Sequence, residues 1–125
     1  MSSKLFITSL LTQLTVKEGS VFLGEKRLGY VWIQGIITFK DSESNEIIVD
    51  DGTASITVLV SPNDFKMRDI MEGDYVMVNG RILIGETDDE TQVVVVDSRM
   101  VSLIQDPNFE ILWTIEVMEG YSSLL

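Results

Sequence analysis

Tyr30-Val31-Trp32-Ile33-Gln34-Gly35-Ile36-Ile37-Thr38-Phe39 is the stretch on which the fold turns. It is long for a strand and rich in the β-branched and aromatic residues that suit a pleated, half-buried surface. At period two, Val31, Ile33, Ile37 and Phe39 fall on one face. Tyr30, Trp32, Gln34 and Thr38 fall on the other, and Gly35 separates the two halves. A glycine inside a strand marks a bulge or a bend, because no side chain crowds the curl. A first strand bent in its middle pairs with two sheets at once, and that is how small β-barrels close.

The remaining runs arrange themselves around it. Glu46-Ile47-Ile48-Val49-Asp50 reads as a strand, Asp51-Gly52 as a tight turn, and Ala54–Val60 as the next strand. Residues 61–72 break the β pattern: Ser61 suits a helix cap, Pro62 the first helical position, and Phe65, Ile70 and Met71 would cover an open barrel end. Tyr75–Ile84 is a second long strand with Gly80 in its middle, and Val76, Val78, Ile82 and Ile84 share a face. After an acidic loop, Val93–Val96 and Met100–Leu103 form a last strand bent near Asp97. Five strands with a helix between the third and fourth is the order of an OB-fold barrel. A small sandwich is the alternative, and two glycine-bent strands favour the barrel. Residues 1–27 form an N-terminal arm, 28–104 the barrel and 106–119 a C-terminal helix. Within the arm, residues 5–16 read as a short helix or an extended segment across one barrel end, with Val21-Phe22-Leu23 as a short strand.

Composition narrows the chemistry. With 125 residues the chain makes one domain with a real core. It has neither cysteine nor histidine, so it lacks a thiolate nucleophile, the commonest general base and the commonest zinc ligands. Asp50-Asp51 and Asp88-Asp89-Glu90 are its only close carboxylates, and both sit in consecutive turn positions, where acids are ordinary turn formers. Neither a catalytic site nor a metal or cofactor is expected. No apolar run approaches the roughly 18 residues that a membrane span needs.

The net charge of −11 is unevenly spread. Residues 1–40 hold five basic and two acidic residues, the remainder four basic and eighteen acidic. The two loops that close over a nucleic-acid strand in OB-folds carry Asp41, Glu43 and Glu46, and Glu86, Asp88, Asp89 and Glu90, while Arg81 and Arg99 look isolated. Such walls repel a phosphate backbone. Stacking on Tyr30 or Trp32, worth roughly 1–3 kcal/mol per base, offsets that repulsion poorly. The outer face of the first strand therefore suits a protein side chain better than a base, with single-strand nucleic-acid binding as the alternative.

Asp106 caps a C-terminal helix, Pro107 fits its first turn, and Gly120 is expected just beyond its end. Ile111, Leu112, Ile115 and Met118 mark one face, flanked by Phe109 and Trp113. The stripe is wider than one barrel wall needs, which favours a docking helix for a second subunit over one folded wholly onto its own barrel.

Three stretches carry a family resemblance: Val31-Trp32-Ile33-Gln34-Gly35, Tyr75-Val76-Met77-Val78-Asn79-Gly80 and Trp113-Thr114-Ile115-Glu116-Val117. With Lys4-Leu5 and Leu11-Thr12-Gln13-Leu14 in the arm, they resemble the RecQ-mediated genome instability protein 2 family. The β pattern is similar, more loosely, to an OB-fold subunit of replication protein A. The first resemblance implies a non-catalytic, nuclear scaffold that pairs with the C-terminal OB-fold of RecQ-mediated genome instability protein 1. Through it the chain would support a Bloom-type RecQ helicase and topoisomerase III in dissolving double Holliday junctions, within homologous recombination, DNA repair and replication. A Fanconi-anaemia-type helicase is a further implied partner, and direct nucleic-acid binding would be weak or absent. Carried over by position, Trp32 belongs at a docking surface, Trp113 at the subunit interface and Lys4 against the larger assembly. The alternatives are a Trp113 packed on its own barrel and a Trp32 lying under the arm. The acidic loop Glu86–Glu90 and the tail Tyr121–Leu125 match no family motif.

Overall fold

The computed structural model describes residues 2–61, 66–86, 92–106 and 108–124. The chain opens with a short strand β1 (Ser2–Lys4) and a helix α1 (Ile7–Thr12), followed by a meander of β2 (Leu14–Lys17), β3 (Ser20–Leu23) and β4 (Lys26–Leu28). The long strand β5 (Tyr30–Asp41) leads into β6 (Glu46–Asp50), β7 (Ser55–Leu59), the short helix α2 (Lys66–Asp69), β8 (Tyr75–Glu86), β9 (Gln92–Leu103) and α3 (Asn108–Leu124).

Strands β5 to β9 close into a ring. The order β5-β6-β7-β9-β8 returns to β5 through a direct β5–β8 ladder, with β7–β9 parallel and the other ring pairs antiparallel. This is the OB-fold order that the sequence pattern implies. β5 achieves it by changing partner at its middle: Tyr30–Ile36 pair with β8, and Ile36–Asp41 with β6. Gly35 sits at the changeover, where a Cβ would lie 2.5 Å from the Asp50 carbonyl oxygen. Gly80 answers it on β8, where a Cβ would approach the Ser98 Cα to 2.8 Å. Both glycines are required by close backbone approach.

Side chains alternate as the ring demands. Val31, Ile33, Ile37, Ile47, Val49, Ile56, Val58, Val76, Val78, Val96 and Val101 fill its interior. Phe39, expected on the inner face, is instead exposed, because the register of β5 against β6 shifts between Ile37 and Phe39. That bulge at Thr38 moves every later side chain to the opposite face. A second shift, between Asn79 and Gly80 of β8, leaves Arg99 of β9 without a cross-strand partner, two residues from the expected bend at Asp97.

Leu5, Ile7 and Leu10 pack the arm against the ring, all fully buried. The arm is tied there by the turn after β6. The Asp51 carboxylate accepts from the Ile7 N–H at 2.8 Å, and the Thr53 hydroxyl from the Thr8 N–H at 3.1 Å. These satisfy orphan donors at the start of α1, which has no side-chain cap of its own. From α2 and its exit, Met67 and Ile70 join the core; Met71, expected to do the same, is exposed because the chain is already turning at Gly73. Pro62 and Phe65 lie outside the described residues.

Two features exceed the five expected strands. β1 extends the sheet by pairing in parallel with β5, setting Lys4 beside Trp32. The meander places Leu23 and Leu28 in the core.

Replacing Gly35 by alanine is expected to destabilise the fold by about 1–3 kcal/mol, as overpacking does. At Gly85, where an added Cβ meets nothing within 4 Å, the same change should stay within about 1 kcal/mol. Urea denaturation midpoints of the two variants check this, and equal midpoints would refute the steric account.

Candidate protein interface

The outer face of the β5-β8-β9 wall carries the residues that the interior does not use. Cross-strand register sets Tyr30 opposite Arg81, Trp32 opposite Asn79 and Gln34 opposite Met77. Arg99, displaced outward by the β9 bulge, lays its guanidinium 3.8 Å from the centre of the Tyr30 ring. Its Nε donates to the Asn79 side-chain oxygen, while the Asn79 amide nitrogen donates to the Val31 carbonyl at 3.1 Å. Asn79 is buried, so its amide fixes the arginine from below. Arg99 is therefore not the isolated charge that its sequence surroundings suggest. Nothing in its local pattern could have shown this, because a one-residue bulge leaves no compositional mark.

α3 begins as expected, with the Asn108 N–H donating to the Asp106 carboxylate at 2.9 Å. Pro107 lies outside the described residues. The helix then runs through Gly120 to Leu124 instead of stopping before it. Its inward face is Trp113 and Val117, which are 4% and 0% exposed. Lys4 of β1 forms an ion pair with Glu116 and lies 5.8 Å from the centre of the Trp113 ring. An exposed pair of this kind contributes about 0–1 kcal/mol, so the buried Trp113 and Val117 carry most of the attachment. The helix thus has the self-packing that was the alternative for Trp113: in this chain that tryptophan lies inside its own fold and not on an open face.

The opposite face of α3 is exposed to solvent. Ile111 is 63% exposed, Met118 58%, and Leu112 and Ile115 each 49%; Phe109, also 49% exposed, lies one turn before Trp113 at the edge of the inward face. Four of these are the sequence-derived interface residues Phe109, Leu112, Ile115 and Met118. Trp32 is half-buried beside Lys4, and Lys4 is exposed at the rim. Between α3 and the wall runs a cleft of about 340 Å³, lined by Lys4, Gln34, Met77, Leu103, Phe109 and Trp113 among others. The Gln34 Oε1 and Trp113 Nε1 atoms are buried there without a hydrogen-bond partner among the described residues.

At the other end of α3, Tyr75 lines a smaller cleft with Ile36, Asp106 and Glu110. Burial first, then the nearby Glu110 and Asp51 carboxylates, push the Tyr75 hydroxyl up to about 12. In the turns, Asp50 accepts from the Gly52 N–H at 2.7 Å and Asp51 from the Thr53 N–H at 2.9 Å. Those two carboxylates hold a turn. Among the described residues no three Asp or Glu side chains converge as metal ligands would, and no helix is long and apolar enough to cross a membrane.

Residues 4–121 match the family model described as RecQ-mediated genome instability protein 2. The chain belongs to that family. Solved structures share its fold across nearly all of its length. A chain of a replication protein A heterotrimer bound to ssDNA matches with TM-score 0.78 and 15% identity, over 99% of this chain and 98% of that one. A chain of the S. pombe Stn1–Ten1 complex matches with TM-score 0.77 and 19% identity, over 98% and 92%. A chain of yeast RPA bound to ssDNA gives 0.74 and 20%, over 98% and 90%. At these identities the likeness is one of fold. No curated protein matches the chain.

Trp113→Ala should lower the stability of the isolated chain by about 3–5 kcal/mol, whereas Ile111→Ser should stay within about 0.5 kcal/mol. Denaturant titration of the two separates the buried face of α3 from the bare one. Tyr75 supplies a pH test. Its folded pKa lies above the unfolded value, so its contribution is complete below pH 10 and is lost as pH rises towards about 12. The stability loss across that window should shrink in Tyr75→Phe, as followed by thermal melts at fixed pH.

Proposed function

We propose that this chain is a non-catalytic OB-fold scaffold subunit whose partner lies along α3. The carrying observation is the solvent-exposed stripe of Ile111, Leu112, Ile115 and Met118 on a helix whose other face is already satisfied by Trp113 and Val117. A helix needs one apolar face to hold it to its barrel. A second one has value only against another molecule, since fully burying side chains of this size is worth about 1.5–3 kcal/mol each. The stripe's shape suits a partner helix, packed as two helices pack in a bundle.

Family membership supports naming that partner as the C-terminal OB-fold of RecQ-mediated genome instability protein 1. In this reading the pair sits in the nucleus and supports a Bloom-type RecQ helicase with topoisomerase III in double Holliday junction dissolution. The cleft beside Trp113 and the surface of Lys4, Trp32 and Arg99 then receive a peptide of the larger assembly. A Fanconi-anaemia-type helicase is one source of such a peptide.

Single-strand nucleic-acid binding is the second reading, favoured by the two replication protein A chains, whose complexes hold ssDNA. The chemistry of this chain weighs against it. Lys40, the base nearest the first loop, donates its ammonium to the Ile70 carbonyl at 2.9 Å. The outer faces of β6 and β7 present Glu46, Ile48, Asp50, Ser55, Thr57 and Leu59, without a basic residue.

Ile115→Asp places a carboxylate in the bare stripe without touching the core. It is expected to weaken pairing with the C-terminal OB-fold of RecQ-mediated genome instability protein 1 by about thirtyfold or more, the scale of an interface hot spot. Calorimetry of the two purified chains measures it. Undiminished affinity in a variant that melts normally would sink the reading.

A further inference from the structure

The bulge at Thr38 turns Phe39 out of the core and onto the outer face of the ring, where it is 47% exposed. Re-aiming a side chain is a common use of a bulge. Cross-strand register runs on from Phe39 to Ile48 of β6, Thr57 of β7 and Val95 of β9. Those three are half-buried, so the four residues make a largely apolar band across four neighbouring strands. The adjoining outward row is Asp41, Glu46, Leu59 and Asp97, on the same strands in the same order. Asp50 lies on the other side of the band, two residues along β6 from Ile48.

Four carboxylates therefore border the band. Asp41 and Asp50 are held there by N–H groups of their own turns, from Glu43 at 3.0 Å and Gly52 at 2.7 Å. Glu46 and Asp97 have neither a hydrogen bond nor an ion pair among the described residues. The two bases in register with these rows do not answer them. Lys40 turns inward to the Ile70 carbonyl, and Arg81 lies opposite Asp97 on β8 without forming an ion pair among the described residues.

We propose that this face of β6 and β7 receives an amphipathic helix of a partner protein, apolar towards the band and carrying lysine or arginine along its flanks. β6 and β7 are each paired on both sides, so an added segment finds little free backbone to pair with and has to satisfy its own. A helix does that. Three strand spacings of about 4.8 Å give the band a width of about 14 Å, enough to seat a helix of roughly 10–12 Å diameter. The four acids choose the occupant. α3 of a second copy would bring Glu110, Glu116 and Glu119 and no base, and a nucleic acid would bring phosphates, so both meet their own sign of charge. Lysine or arginine flanks meet the opposite sign. No residue of the band or its border belongs to α3, so the face serves a different partner, or a different segment of the same one.

Amide NMR of the isotope-labelled full chain tests this, with a synthetic leucine–lysine peptide as the probe, its leucines spaced three and four apart to line one helical face. The Phe39, Ile48, Thr57 and Val95 amides should shift as the peptide is added. Glu46→Lys and Ile48→Lys should each weaken binding there by about tenfold, the effect of a repulsive charge placed in an interface, while both variants melt as the parent chain does. Ile115→Asp, in the stripe of α3, should leave the binding intact. The same residues in scrambled order, a leucine–glutamate peptide and oligothymidine should each leave the four amides in place. The proposal is overturned if the scrambled peptide shifts them equally, which would reduce the effect to net charge. It is equally overturned if the shifts fall on α3 and vanish in Ile115→Asp, or if folded Glu46→Lys binds as the parent does. Shifts of the band with oligothymidine would make the face a nucleic-acid surface and would end the proposal too.

Discussion

Ring closure rests on backbones passing closer than any side chain allows. β5 can hand over from β8 to β6 only if its middle residue lets the Asp50 carbonyl lie against it, and Gly35 is that residue. Gly80 makes the matching approach to β9. With both in place, five strands share one interior, and every position is forced either into it or outward. Inner positions are almost all Val and Ile. What the outer positions carry is then free of packing constraints, and the chain's chemistry resides there.

The arm and α3 follow from that closure in sequence. The turn that ends β6 directs Asp51 and Thr53 at the first amides of α1, which sets α1 at the ring and leaves β1 lying along β5. β1 brings Lys4 to Trp32, Trp113 and Glu116. So the position of α3 depends on contacts made at both ends of the chain. An interface on its outer face inherits that arrangement, and loosening the arm would disturb pairing without altering a single residue of the stripe.

How much of this was legible in the sequence depends on periodicity. The long strands, their glycines, the hairpin at Asp51-Gly52 and the cap at Asp106 were readable, because each leaves a repeating or positional mark. Phe39 reads as an inner residue because a period-two pattern contains no sign of a bulge, and Arg99 reads as isolated for the same reason. β1, β2 and β4 leave no mark in the sequence because three or four mixed residues make no pattern; their pairing is decided by tertiary contacts. The apolar stripe of α3 is legible as Ile111, Leu112, Ile115 and Met118, all exposed on one face. The place of Trp113 is not legible, because a flanking aromatic at helical spacing belongs equally to either edge of the stripe. The turn of the helix towards its barrel settles which, and that turn is a property of the fold. Gly120 failed as a stop since a glycine ends a helix only where the chain is also required to leave it.

The acidic balance and the bare helix face bear on each other. A single-strand binder gains most of its affinity from releasing counterions off phosphates, so it needs cations along the path of the strand. Here three of the cations are engaged locally: Lys4 with Glu116, Lys40 with a carbonyl, Arg99 with Tyr30 and Asn79. Arg99 in particular is held flat and fixed, a geometry suited to one carboxylate and poor for tracking a flexible backbone. The apolar stripe has no use for nucleic acid at all. Acidic surroundings would meanwhile keep such a stripe from meeting its own kind, because two copies at −11 repel before their helices touch. The same charge that excludes a phosphate backbone therefore also biases α3 towards a partner unlike itself.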